Sequence, residues 1–437
     1  MSFNRFFAAA TKITLSLGVC MLISCSPIAS PISDDFDFDT DENINTLLND
    51  YTDSSSVAGN KMTLLIDGPV SREAYRNLIT DAADNIHLEM WDIDDDTEKA
   101  EDIGGEFADL LIQKAQAGVE VKVILDPVAM RGYSDIGIVN RMVEGGVDVR
   151  LFMPPLDKLL LDQLLYRTHK KFMVVDGKDG ILGGMNFGYD YMGEGQWRDT
   201  NVQLSGPVIA EMQKMFMEDW ALLGEALADE TRYYPSLENT GEVTVRIIDQ
   251  QPCQDDFDLN ETVRMAIRCA KDHIDMEAPY FNPMDWLRDE LYAAAERGVR
   301  IRVLTNSKES NDVASTVFLS MASNFQGMVD HDVEVYLWGW ADHTIHSKAL
   351  VVDDKFAFIS SYNFNYRSAV WDTECAAAFT DSEPISQIQK MMDHDFSRDF
   401  VVPVTQEWID SQGIFEELSW QTARPLRYIA KEVSPEE

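Results

Sequence analysis

His169, Lys171 and Asn186 are spaced as His346, Lys348 and Asn363 are, and both sets follow one pattern, His-x-Lys-x4-Asp-x6-small-small-x-Asn. Asp176 and Gly183-Gly184 complete the first copy, Asp353 and Ser360-Ser361 the second. The two histidines are 177 residues apart, and neither copy carries an insertion. A single His-x-Lys arises by chance; the whole pattern twice does not. Displacement at a phosphodiester needs a nucleophile, an acid for the leaving alkoxide and cations for the nonbridging oxygens. Two imidazoles supply the first two roles. Two lysines and two asparagines can hold the oxygens, as divalent ions do elsewhere. An imidazole that attacks phosphorus becomes a phosphohistidine and stores the ester bond for a second acceptor. The other histidine then switches from acid to base. This set calls for no cofactor, and with seven histidines in no ligand-like cluster and no Cys-x-x-Cys, no metal site is expected.

Each imidazole also needs a carboxylate to fix its tautomer. Asp199, in Trp197-Arg198-Asp199-Thr200, lies 30 residues beyond His169; Glu374, in Trp371-Asp372-Thr373-Glu374, lies 28 beyond His346. Each is the downstream candidate for the histidine it follows. Asp176 and Asp353 are counted with the motif set but are expected to brace its loops rather than touch phosphorus.

The elements that must position these residues are also repeated. Strand-like Met62 to Ile66, a helix-like stretch containing Ala82, and Ile86 to Glu89 recur as Val243 to Ile248, a stretch containing Ala270, and Ile274 to Glu277. A helix closed by Gly118 before the strand-like Val119 to Leu125 recurs as one closed by Gly298 before Val299 to Leu304. Gln213-Lys214-Met215 returns as Gln389-Lys390-Met391 in a helical context. Alternating strands and helices predict an α/β layered architecture. Each motif histidine is placed where a loop enters a buried strand, at Phe172 to Val175 or Ala349 to Val352. Two such halves, each offering one His, Lys and Asn, are expected to face each other across a pseudo-twofold axis and share one active site. The boundary falls near Tyr234 to Thr240, which gives domains over 58–235 and 236–437.

The chain has 437 residues, ample for two domains, and a net charge of −40, which repels phosphate polyanions and disfavours a nucleic-acid partner. Arg5 and Lys12 precede an apolar run, Ile13 to Ile23, too short to span a bilayer and shaped like an export signal. Leu22-Ile23-Ser24-Cys25 resembles the lipobox of bacterial lipoproteins, which implies a signal peptide over 1–24 and a lipid on Cys25. Such an anchor implies a cell-envelope protein held at a membrane surface and facing the periplasm, and Ser26 resembles an outer-membrane sorting residue. Residues 25–57, with Asp34 to Asp39, are expected to be an acidic solvated tether. Their alternating aspartates, like Asp92 to Asp96, lack the Gly and closing Glu of a calcium loop. Cys253, Cys269 and Cys375 allow at most one disulfide. Leu156 to Tyr166, leading to His169, is expected to be a core helix, with an interfacial one as the alternative. His87, His273, His331, His343 and His394 are read as ordinary core or surface residues.

Over roughly residues 60 to 400 the chain resembles the phospholipase D superfamily with two His-x-Lys-x4-Asp motifs. Ala278-Pro279-Tyr280-Phe281-Asn282-Pro283, Leu304-Thr305-Asn306-Ser307 and Asn363-Phe364-Asn365-Tyr366-Arg367-Ser368 resemble its bacterial cardiolipin synthase branch in particular. The resemblance implies two phospholipase D-like α/β sandwich domains, with His169 as nucleophile and His346 as acid and base. It implies phosphatidyl transfer, in an exported enzyme most naturally cardiolipin formation from two phosphatidylglycerols, which needs no nucleotide. The alternatives are hydrolysis of phospholipids to phosphatidic acid, or an exported phosphodiesterase or nuclease of the same superfamily. Two positions depart from the family: Ser360 replaces the usual Gly, and Gly184 replaces a common Ser, which would remove one hydrogen bond to the phosphate.

Overall fold

The computed structural model describes residue 40 and residues 43–129, 133–153, 165–224, 230–313 and 315–425. The export signal, Cys25, Asp34 to Asp39 and residues 156–164 lie outside the described residues.

The first half contributes strands β1 (Ser56–Ile66), β2 (Asn85–Met90), β3 (Glu120–Leu125), β4 (Asp148–Leu151), β5 (Arg167–Thr168), β6 (Phe172–Val175), β7 (Asp179–Gly183) and β8 (Thr200–Ser205). The second contributes β9 (Val243–Gln250), β10 (His273–Glu277), β11 (Arg300–Asn306), β12 (Val333–Trp338), β13 (Ala349–Val352), β14 (Phe356–Ser360), β15 (Asp372–Phe379) and β16 (Val401–Val404). All but β5, which pairs with β15 off this path, hydrogen-bond in the order β16-β12-β11-β10-β13-β14-β15-β9-β1-β8-β7-β6-β2-β3-β4. Apart from the added edge strand β16, this order is a palindrome about the β1–β9 pair, so the sequence repeat reappears as a repeat of topology.

Each half runs parallel where helices make the crossovers, β2 to β4 and β10 to β12, and antiparallel from β6 to β8 and β13 to β15, with tight turns joining β6 to β7 and β13 to β14 and longer links leading on to β8 and β15. The motif strands β6 and β13 carry no polar residue because both faces are covered. Side chains alternate across a strand, so Phe172 and Val174 enter one core while Met173 and Val175 enter another. In β13, Ala349 and Val351 join that same first core, and Leu350 and Val352 belong to a third. The half-sheets thus stack face to face, β14 against β7 and β8, around a core that both halves build. The helices Ile209–Leu222 and Ser382–Phe396, which carry the repeated Gln-Lys-Met, flank this central layer.

The tether expected over 25–57 needs correction in its described part. Residues Ile44–Tyr51 form a helix, capped by Asn43, whose side chain accepts the Asn45 N–H at 2.9 Å. Leu47 and Leu48 are 1% exposed and sit in the core of the second half. Two adjacent leucines bury too much apolar surface to stay in water, whatever the acidity around them. Arg246 of β9 fixes the segment, donating to Asn49 Oδ1 at 2.6 Å and to the Ser54 carbonyl. Cys253, Cys269 and Cys375 are thiols, with no disulfide among them. His87 is a core residue stacked on Phe216 at 4.6 Å, and burial lowers its pKa.

Candidate active site

The motif histidines sit just before the strands, as the spacing predicts, and both are 2% exposed. Their partners are exchanged between the halves. His169 Nδ1 lies 3.1 and 3.0 Å from the two carboxylate oxygens of Glu374. His346 Nδ1 lies 2.7 Å from Asp199 Oδ2. Each carboxylate therefore serves the histidine of the other half, a correction to the downstream assignment. The cause is the backbone. Strand β5 runs parallel to the start of β15, with Thr168 opposite Thr373, and Arg198 forms a parallel bridge with Ile345. As a result the His169 N–H donates to the Thr373 carbonyl at 3.0 Å, and the His346 N–H to the Arg198 carbonyl at 2.7 Å. In both cases the histidine is pinned to the residue just before its carboxylate.

The carboxylates differ in reach, and the small residues of the motif match them. Ser361 and Ser368 donate their hydroxyls to the two oxygens of Glu374. Gly184 stands where Ser361 stands in the other half, and a Cβ there would come within 2.3 Å of Asp199 Oδ1. The departure at Gly184 thus makes room for a shorter carboxylate. Its counterpart hydroxyl is engaged with Glu374, so the expected loss of a hydrogen bond to phosphate needs correction. Ser360 fits its buried position and accepts the Tyr362 N–H at 3.3 Å.

Lys171 and Lys348 are fully buried, and each donates to the carbonyl of its own motif histidine, Lys171 at 2.8 Å and Lys348 at 2.5 Å. Lys348 Nζ also lies 2.9 and 3.0 Å from the two ring nitrogens of His346. Burial, and next Lys348, push the His346 pKa down to about 3, against the upward pull of Asp199. Burial alone would raise Asp199, but His346 and Lys348 hold its carboxyl below the usual range. Burial raises Glu374 to about 7, in spite of Lys171, Ser361 and Ser368. Asn186 and Asn363 are each 2% exposed on the turns after β7 and β14.

Asp176 and Asp353 hold the loops rather than the reacting groups. Asp176 accepts the backbone N–H groups of Ala83, Asp84 and Asn85 at 2.7 to 3.2 Å. Asp353 accepts those of Lys271, Asp272 and His273 at 2.7 to 2.9 Å. Both lie in the left-handed region, φ 54° and 53°, which aspartate tolerates. Each carboxylate ties the end of its motif strand to the start of β2 or β10.

Aromatic side chains around the histidines were not singled out in the sequence. Trp91 meets His169 edge-on at 5.6 Å, while Tyr191, Trp197 and Tyr280 lie 5.2, 5.5 and 6.1 Å from His346. Trp197 and Tyr280 belong to stretches whose repetition or family likeness was visible, but Trp91 and Tyr191 carried no signal. Among the described residues, no group of three or more His, Cys, Asp or Glu is arranged to hold a metal ion.

Residues 75–220 and 263–396 match the family model described as "Cardiolipin synthase, PLD-like domain". A cardiolipin synthase of Oceanobacillus iheyensis is 27% identical over 363 residues, 81% of this chain and 72% of that one. Cardiolipin synthase 2 of Bacillus cereus is 31% identical over 330 residues, 74% of this chain and 62% of that one. The chain thus spans between roughly three fifths and three quarters of these relatives' lengths. In fold it is similar to the crystal structure of a phosphatidylserine synthase from Haemophilus influenzae, with a TM-score of 0.68 and 14% identity over 89% of this chain and 98% of that one.

Proposed function

The chain belongs to the phospholipase D-like cardiolipin synthase family, and we propose that it moves a phosphatidyl group from one alcohol to another through a phosphohistidine, making cardiolipin from two phosphatidylglycerols. The observation that carries the mechanism is the exchanged pairing, His169 with Glu374 and His346 with Asp199. A carboxylate on each Nδ1 leaves Nε2 as the reactive atom of both imidazoles. His169 Nε2 attacks phosphorus, the P–O bond to glycerol breaks, and His346 Nε2 protonates the leaving oxygen. A second phosphatidylglycerol then gives its hydroxyl proton to His346 and attacks the phosphohistidine, which releases His169. Bonds made and broken balance, so the exchange proceeds without a nucleotide. Lys171, Lys348, Asn186 and Asn363 surround the nonbridging oxygens, where developing charge is best stabilised in a dry site.

We propose further that Cys25 carries a lipid and that the enzyme works at the periplasmic face of an envelope membrane, on the outer membrane by the Ser26 signal. Leu22 to Cys25 and the lipid substrate support this reading. Mass spectrometry of the mature N-terminus tests it; an unmodified Cys25 in the exported protein contradicts it.

The activity is tested by incubating purified protein with phosphatidylglycerol in detergent micelles, without nucleotide. Cardiolipin and free glycerol are expected in equal amounts. Phosphatidic acid as sole product would leave a phospholipase D, and DNA cleavage without lipid turnover would overturn the lipid reading.

A further inference from the structure

Beneath each motif histidine lies a second set of buried charges that the transfer chemistry does not use. Under His346 these are Glu277 of β10 and Asp395 of the helix Ser382–Phe396, both almost wholly buried. Glu277 stands opposite Ala349, the first residue of the motif strand. Its cation comes from the other half: Arg198 reaches Asp395 Oδ2 through Nε at 2.8 Å and Nη2 at 2.7 Å. Arg198 Nη1 donates to the Asp199 carbonyl at 2.6 Å and to Thr200 Oγ1 at 2.8 Å. One guanidinium thus joins Asp395 of the second half to the backbone that carries the carboxylate of His346.

The first half repeats the arrangement with different residues. Glu89 stands opposite Phe172, the first residue of its motif strand, and Asp219 follows Gln213 by the six residues that separate Asp395 from Gln389. Here the cation is local, since Lys170 donates to Asp219 at 2.6 Å and meets Asp249 at 2.5 Å. Ser347 fills the position of Lys170 in the second copy, which is why the second half needs an outside cation. Thr373 stands where Arg198 does, one residue before the orienting carboxylate. It donates to Thr168 Oγ1 at 3.2 Å, and Thr168 in turn donates to Glu89.

We propose that Arg198, held by Asp395 beside Glu277, is the positioning residue that sets Asp199 against His346, and that Lys170, Asp219 and Glu89 do the same for Glu374 and His169. Burial, and then Asp395, push Glu277 up to about 8, so the Glu277 carboxyl is mostly protonated at neutral pH. Asp67, 3.6 Å from Arg198 Nη1, Ser347 and Asp199 also face this cluster. The proposal rests on His169 and His346 being the reacting pair, and its main readout does not require turnover.

The experiment follows the downfield Nδ1–H proton resonances of His169 and His346 in the full chain, assigned with single His→Gln variants. Asp395→Asn is expected to move the His346 resonance and leave that of His169 in place; Asp219→Asn should do the reverse. The Asp395→Asn variant should also lose about 10- to 100-fold in kcat with KM unchanged, the size usual for groups that orient a reacting side chain. If Asp395→Asn does not fold, Arg198→Lys keeps the charge, loses the fork and should move the same single resonance. Resonances that stay in place, or that move together in either variant, overturn the proposal. A wild-type protein inactive on phosphatidylglycerol would refute the substrate reading and leave this test standing.

Discussion

His346 and Lys348 keep Asp199 ionised, whereas Glu374, raised to about 7, is only partly ionised at neutral pH. A bound phosphodiester adds one negative charge beside the two lysines, and the local balance then favours protonating an imidazole. This reconciles the depressed pKa of His346, about 3 in the protein alone, with its part as the acid. Binding of a dialkyl phosphate, a monoanion with no proton of its own to exchange near neutral pH, is therefore expected to take up protons at pH 7. Titration calorimetry in buffers of different ionisation enthalpy measures this directly, and binding without proton uptake would contradict the assignment. The same two groups act oppositely on stability. His346, with its pKa lowered from 6.5, stabilises the fold fully above that value and loses its contribution as pH falls toward 3. Glu374, raised from 4.5 to about 7, contributes fully below 4.5 and loses its contribution as pH rises through 7.

At the scale of elements, the motif aspartates are latches between strands. Replacing Asp176 or Asp353 with alanine deprives three backbone N–H groups of their acceptor and should cost about 1–3 kcal/mol of stability. Urea unfolding gives the cost. Folded variant should keep its kcat, and a lost kcat with unchanged stability would place these residues in the chemistry instead. The bracing was legible in the sequence because an aspartate closing a β-branched strand has few other uses. The exchanged carboxylates were not. Spacings of 30 and 28 residues describe proximity along the chain, whereas the pairing is set by β5 lying parallel to β15 and by the Arg198–Ile345 bridge. No single-sequence pattern reports a contact between two loops about 150 to 200 residues apart, since register across a domain interface is fixed by packing.

Across the whole molecule, the repeat that was visible as sequence becomes a palindromic strand order, and one core belongs to both halves. The sequence repeat sufficed to expect two alike α/β halves facing each other at one site, whereas the strand order and the shared core are set by packing. The helix Ile44–Tyr51 escaped the same reading because its acidic surroundings outweigh two leucines when only composition is weighed. That helix precedes the first half in the chain but packs on the second, against the helix Asp258–Cys269. Leu47→Ala should accordingly destabilise the protein by about 2–5 kcal/mol, although it lies in a segment of tether-like composition. An unchanged urea midpoint would show that the segment is not docked in solution.

One site built from two halves also makes a prediction about covalent chemistry, since only one of the two histidines should ever carry phosphorus. The most direct test incubates the protein with phosphatidylglycerol labelled at phosphorus, quenches it and maps the label. The expected result is a phosphatidyl group on His169 alone, which a chase with unlabelled phosphatidylglycerol moves quantitatively into cardiolipin. Label on neither histidine, or label that no alcohol can discharge, would contradict transfer through a phosphohistidine.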